Sequence, residues 1–471
     1  MDTTKTLAKN IILVTIGNSG SKLLGLIMMP LYTRWLAPSD FGITDMVFVY
    51  VSMLIYVVTF NISEAVFVYP HGARREEQEG YFSSGMFFLL ISLFVTLLFC
   101  GIINCWLSNI YDDVFFRYTF FIGLLLTTSA LQIYTQQFTR SIHRMDVYSF
   151  TGLVHTVIVV ILSFILIPYF GVEGYVICMT LGHFVAFLYA MFASRAYKYL
   201  HVVSVDRRYL KEMLRYSVPL IPNVMVWWLI SSLNRPVMEQ YVGLAGIGLF
   251  AVSNKFPSFV NMVFGFFQQA WIVTVLDEFK KPDFSIYYNR IFNVIFLVQL
   301  SLLFLLIYFS KILVRIFAAP EYYDAWVYVP ILSLAVLFTN ISAYTGTVFS
   351  ATRQSKYYFY SSAIGAIVAV ILNILLIPSL QIWGAGLSVL FAHFASAVSR
   401  CIYSSRIVKI AHLRNYLIAL LLFIVAYGCF VRMDNPFFPI LIGLICYGTV
   451  LWLNKGVIST IYSIVLSKIK R

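Results

Sequence analysis

Fourteen apolar stretches, each close to the length needed to cross a bilayer, constrain this chain more than any other feature. They run at roughly 11–31, 42–69, 81–104, 115–137, 149–168, 174–194, 217–236, 247–276, 289–310, 325–351, 359–378, 384–404, 415–431 and 437–454. Inside hydrocarbon every backbone N–H and C=O must be satisfied within the segment itself, and runs of this length do so as helices. A chain that is 61% hydrophobic and 11% charged has too little polar surface to stay soluble. The expected fold class is therefore an all-α polytopic membrane protein with about fourteen transmembrane helices. Asn10–Leu31 reads as the first of these helices rather than a cleavable leader, since it has no small-residue cleavage site and a second span lies close behind it.

The stretches are duplicated. Ile161–Phe184 aligns without gaps on Ile371–Phe394, and Leu166, Pro168, Gly174, His183 and Phe184 fall on Leu376, Pro378, Gly384, His393 and Phe394. A weaker match sets Trp35–Ile43 over Tyr241–Leu249. Self-similarity at a fixed offset, here about 206 to 210 residues, points to two copies of one unit. In membrane proteins that layout belongs to transporters, with two bundles facing a site near the midplane. The expected organisation is a six-helix bundle at 1–194, a basic linker at 195–216 and a second six-helix bundle at 217–405. Two added helices and an amphipathic tail complete the chain at 406–471.

Basic residues give the orientation. With both termini in the cytoplasm, about 25 of the 33 Lys and Arg lie inside, Arg195–Arg215 and Arg400–Arg414 among them, and about six outside. The net charge of +13 is thus a topology signal and not a nucleic-acid footprint, because it is scattered over short loops. The expected location is a cytoplasmic membrane, multi-pass, with the N- and C-termini inside.

No Walker loop, HExxH, GxSxG or dinucleotide loop occurs, so no cofactor, metal site or catalytic residue is expected. The six cysteines form no CxxC pair and read as apolar filler. The informative residues are charges inside spans. Lys22 sits near the middle of the first segment, Lys255 a third of the way along the eighth, and Arg235 ends the seventh beside Pro236. A basic side chain at mid-membrane costs roughly 2.5 to 3.5 kcal/mol, so each should face a polar cleft. Together they suggest an anion site, with Arg235 close enough to the surface to snorkel instead. Glu64, in the second segment, is the candidate for ion coupling. His183 and His393 occupy equivalent repeat positions, which favours a shared packing role over metal ligation. Pro219, Pro222 and Pro257 mark candidate hinges.

The stretch Met29-Pro30-Leu31-Tyr32-Thr33-Arg34-Trp35-Leu36-Ala37-Pro38-Ser39-Asp40-Phe41-Gly42 resembles the opening signature of the polysaccharide transporter family. That family belongs to the multidrug/oligosaccharidyl-lipid/polysaccharide (MOP) superfamily. Asn61–Val68 resembles the family's second membrane segment, and Gln137–Met145 resembles the loop after its fourth. The resemblance implies a non-enzymatic flippase. Its cargo would be an undecaprenyl-diphosphate-linked oligosaccharide, as an O-antigen, capsule or exopolysaccharide repeat unit. Lys22 and Lys255, with Arg235, would face the lipid diphosphate. It also implies membrane lipids and a polysaccharide polymerase as partners, and a proton or sodium ion as coupling ion. The alternatives are a drug or organic-cation antiporter of the same superfamily, which needs acidic cleft residues, and a membrane polysaccharide polymerase. The one outer acidic pair, Asp112-Asp113, reads as a solvated turn.

Overall fold

The computed structural model describes residues 25–107, 114–354, 356–411, 413–433 and 437–455. Among these the secondary structure is helical, with no strand. Among the described residues ten spans are long and apolar enough to cross a membrane, one of which, Arg207–Tyr241, runs through three consecutive α-helices, and a shorter apolar helix covers Phe437–Leu453. One of the ten, Met145–Ala193, is two helices joined at Gly171. The chain forms two compact units that meet in sequence between Gly248 and Leu249.

In the first unit the helices are α1 (Met29–Trp35), α2 (Pro38–Val58), α3 (Ile62–Val68), α4 (Arg75–Leu107), α5 (Thr119–Ser141) and α6 (Met145–Ala193). They are followed by α7 (Arg207–Ser217), α8 (Ile221–Ser231) and α9 (Asn234–Tyr241). The first turn of α10 (Leu244–Glu278) completes this unit. The second unit holds the rest of α10, then α11 (Phe284–Phe317), α12 (Val329–Ala351), α13 (Lys356–Leu380) and α14 (Ile382–Ser404). Two more helices, α15 (Leu413–Arg432) and α16 (Phe437–Leu453), pack on α11.

The duplication reaches the backbone. Gly171 has φ 54° and ψ −124°, and its repeat equivalent Gln381 has φ 52° and ψ −125°. Each residue reverses the chain just after the shared proline. The reversal brings Gly174 and Gly384 so near the preceding helix that a Cβ would lie 2.4 Å from the Leu166 carbonyl oxygen and 2.2 Å from that of Leu376. Glycine is required at both places because no side-chain carbon fits. Helices α5 and α12 end alike. His143 and Arg353 take positive φ, and the next N–H reaches back to Thr139 O and Phe349 O, both at 2.9 Å. This is the Schellman closure of orphan carbonyls. Tyr134 and Tyr344, again equivalent, donate to the carbonyls of Phe82 (2.9 Å) and Tyr288 (2.8 Å).

Three features depart from the sequence reading. The segment 42–69 is broken, since Phe60 (φ 50°) and Asn61 (φ 53°) separate α2 from α3. The segment 217–236 is broken at Ser232–Leu233, and its second part runs on past Pro236 to Tyr241. Pro236 is tolerated there because it lies in the first turn of α9, where an N–H has no intrahelical partner.

The 195–216 segment, expected as a linker, is folded onto the first unit. Asp206 caps α7 by accepting from Arg208 N at 2.7 Å. Ser84 Oγ accepts from Asp206 N, Ser83 Oγ accepts from His201 N, and Tyr81 donates to Glu212 at 2.7 Å. Met213 and Ser217 are buried under α7 while its arginines stay outside. A hydropathy window misses such a helix because its apolar residues form only a stripe. With α8 and α9 also packed on α2, the compact unit extends to Gly248. The compact units divide between Gly248 and Leu249, away from the expected linker at 195–216.

Candidate functional site

In the first unit a polar seam runs between α2 and the α8–α9 pair. Arg235, 6% exposed, donates from Nε to Asp45 Oδ2 at 3.1 Å. Its Nη1 donates to Ser231 O at 2.5 Å and to Asn234 Oδ1 at 3.0 Å. One turn further along α2, Trp228 Nε1 donates to the Val49 carbonyl at 3.2 Å and Tyr50 donates to Glu239 Oε2 at 3.3 Å. The other Glu239 oxygen accepts from Val114 N at 2.8 Å. Asp45 and Val49 share one side of α2, as residues four apart do. Arg235 therefore does not snorkel in this conformation: its charge is compensated by a carboxylate inside the protein. Burying such a pair is costly, and its value lies in holding one arrangement of two helices.

At one end of the same seam α2 and α10 cross through two glycines. A Cβ on Gly42 would lie 2.0 Å from Leu244 O and 3.2 Å from Gly248 N. A Cβ on Gly248 would lie 2.0 Å from Pro38 O and 3.2 Å from Gly42 N. Gly42 aligns with Gly248 in the internal repeat and Pro38 aligns with Leu244, so the crossing is reciprocal: each glycine faces the carbonyl of the residue four before the other. Only backbones that carry no Cβ approach this closely.

In the second unit Lys255 is exposed on α10. Among the described residues no carboxylate pairs with it. It is one of a stripe. Asn254, Lys255, Ser258, Asn261, Gly265 and Gln269 are all exposed or half-buried. At 3.6 residues per turn they fall within about 120° of the helix and extend over about 22 Å of its length. A polar stripe that long on a spanning helix faces water or protein rather than lipid. Pro257 lies within α10 without ending it.

Glu64 is exposed in the first turn of α3, directly after the break at Phe60–Asn61. The helix dipole favours a carboxylate there. Half-helices of this kind recur at ion and substrate sites of transporters. Lys22 lies outside the described residues. His183 Nδ1 is hydrogen-bonded to Gln132 Oε1, its ring is 4.1 Å from that of His155, and His393 is buried. Among the described residues no cluster of three metal-ligating side chains occurs.

Arg400, counted by charge among the basic residues on the inner side, is not solvated. Arg400 is 1% exposed near the end of α14. It donates to Ser361 Oγ at 2.9 Å, Ser362 Oγ at 3.0 Å and Ser342 O at 3.2 Å, with its guanidinium 4.9 Å from the centre of the Tyr358 ring. It ties α14 to α12 and α13. The signal was Ser361-Ser362, two small hydroxyls at the start of an otherwise apolar helix.

Residues 7–273 match the family described as polysaccharide biosynthesis protein. An uncharacterized membrane protein of Methanocaldococcus jannaschii is 21% identical over 289 residues, which cover 58% of this chain and 67% of that protein. Among solved structures, the lipid II flippase MurJ in its inward closed conformation superposes with a TM-score of 0.73 at 15% identity, covering 95% of this chain and 100% of MurJ. An inward-facing multidrug resistance MATE transporter gives 0.65 at 14% identity, covering 82% and 94%. Likeness at that level concerns the fold, and the match over 7–273 supplies the kinship: the chain belongs to the polysaccharide biosynthesis protein family.

Proposed function

We propose that this transporter is a flippase for a polyprenyl-diphosphate-linked oligosaccharide, an O-antigen, capsule or exopolysaccharide repeat unit. It would carry the head group from the inner to the outer leaflet by alternating access. The observation that carries the proposal is Lys255: a cation without a carboxylate partner among the described residues, on a polar stripe along a spanning helix. A diphosphate with sugars cannot enter about 30 Å of hydrocarbon unaided. Lysine offsets its lost hydration as a mobile point charge. Lys22, on the first segment, is assigned the same role. With the cell interior negative, outward movement of two negative charges gains roughly 4.6 kcal/mol per 100 mV. An amphipathic cation, the cargo of an antiporter, would be repelled by the same lysines.

The α2 seam supplies the moving contact. Its Asp45 side belongs to the first repeat copy and its Arg235 side to the second. In this reading the Gly42–Gly248 crossing and the Arg235–Asp45 pair close one membrane face, and the charge-derived topology makes it the outer one. Opening frees Arg235 to exchange Asp45 for the diphosphate. Glu64, at the head of a half-helix, takes the coupling proton or sodium ion.

The test is Lys255→Ala and Lys22→Ala, alone and together, in a strain whose surface glycan depends on this chain. Surface glycan should fall at least tenfold with the protein at its normal level. Normal glycan in the double variant removes both lysines from the mechanism.

A further inference from the structure

In the second unit, helices α11, α12, α14 and α15 enclose a cavity of about 570 Å³ whose walls are almost wholly apolar, with Phe292, Phe296 and Phe394 among them. Two polar features break that pattern. Tyr416 lines the cavity, is 4% exposed, and its hydroxyl has no hydrogen-bond partner among the described residues. Its ring packs against those of Phe292 (5.3 Å) and Phe296 (4.7 Å). The second feature is Lys409, exposed at the rim. Its backbone is fixed to α11, since Asn289 Nδ2 donates to Lys409 O at 3.0 Å and Asn289 Oδ1 accepts from Ala411 N at 2.7 Å. Arg406 and Arg414 flank it in sequence, with no acidic residue from Ser405 to Asn415.

A buried hydroxyl left without an acceptor is costly unless a ligand supplies one. An apolar recess with a basic rim fits an amphiphile with an anionic head, and basic recesses between spanning helices take anionic lipid head groups. We infer that this cavity is a binding site for an anionic phospholipid of the surrounding bilayer. One acyl chain lies along the phenylalanines, the phosphodiester meets Lys409, and an ester oxygen accepts from Tyr416. A phosphodiester monoanion with ester carbonyls matches one rim lysine and one inner donor. The assignment is independent of the cargo proposed above and adds a resident lipid to the machine.

The test uses the purified full-length chain in detergent, with phosphatidylglycerol, phosphatidylcholine and polyprenyl phosphate as probes, bound lipid being read by native mass spectrometry. Phosphatidylglycerol should be retained over phosphatidylcholine. Its affinity should fall about fivefold in Lys409→Ala and about thirtyfold in Lys409→Glu, where the charge is reversed. Tyr416→Phe should lose about tenfold while keeping the ring. A readout that needs no variant is alkylation of Cys401, which lines the same cavity. Phosphatidylglycerol should slow it in the unaltered protein and phosphatidylcholine should not. Equal retention by parent and variants, or Cys401 indifferent to phosphatidylglycerol, overturns the assignment. So does polyprenyl phosphate displacing phosphatidylglycerol at equal concentration, which would hand the cavity to the cargo tail.

Discussion

Replacing Gly42 by alanine should pry α2 from α10, and replacing Gly248 should do the same to the same extent. Each new Cβ would start 2.0 Å from a carbonyl oxygen, where real Cβ contacts essentially never fall below 3.0 Å. The helices must separate by about 1 Å, the difference of those two distances. Neither obstacle is a flexible side chain that could turn aside, because both are backbone. Overpacking of this kind costs about 1 to 3 kcal/mol, a population shift of roughly five- to 150-fold. Because one separation relieves both clashes, the double variant should cost little more than either single one, a coupling of about the size of one single effect. The measurement is the thermal unfolding midpoint of the purified chain for parent, both single variants and the double. Equal single shifts with a double no larger are expected. Additive shifts, or a shift from one glycine alone, would refute the reciprocal crossing.

Arg235→Ala leaves Asp45 half-buried without its cation and should destabilise the first unit by about 3 kcal/mol, with Arg235→Ala/Asp45→Ala recovering most of the loss in the same unfolding assay. Gln381→Gly should raise the unfolding midpoint by the equivalent of about 1 kcal/mol, because φ 52° strains any residue with a Cβ. Gly171→Ala at the equivalent turn should lower it. Tyr134→Phe and Tyr344→Phe should each cost about 1 kcal/mol, the net worth of one buried hydrogen bond, and nearly the same amount, as repeat partners; a large inequality would deny that the two bonds are duplicates.

Much of the helical plan is legible in the residues because hydrocarbon leaves the backbone little choice, and the repeat is legible because Pro168/Pro378 and Gly174/Gly384 build the same turn twice. The Gly42–Gly248 crossing is present in the alignment itself, as two glycines at the same repeat position, but their contact requires coordinates. The break at Phe60–Asn61 has only a weak local signal: Asn61 tolerates the left-handed region, but neither glycine nor proline stands there. Tertiary context imposes a conformation that Phe60 disfavours. Asp45 and Arg235 are 190 residues apart, and only the packing of α9 on α2 joins them. The polar stripe on α10 was readable at helical spacing, and a search for single intramembrane charges finds only Lys255 in it. The folded 195–216 segment escapes a hydropathy window because α7 is amphipathic and charged.

Under the proposed function, this chain moves an anionic glycolipid head group between leaflets. The most direct measurement is a leaflet-exchange assay in sealed vesicles holding the purified chain and a fluorescent polyprenyl-diphosphate oligosaccharide, with a membrane-impermeant quencher reporting the outer leaflet. Exchange should run far above that of protein-free vesicles, be accelerated by an inside-negative potential and be lost in the Lys22→Ala/Lys255→Ala double variant. Exchange no faster than in protein-free vesicles, with the same protein instead exporting an amphipathic cation, would contradict this function.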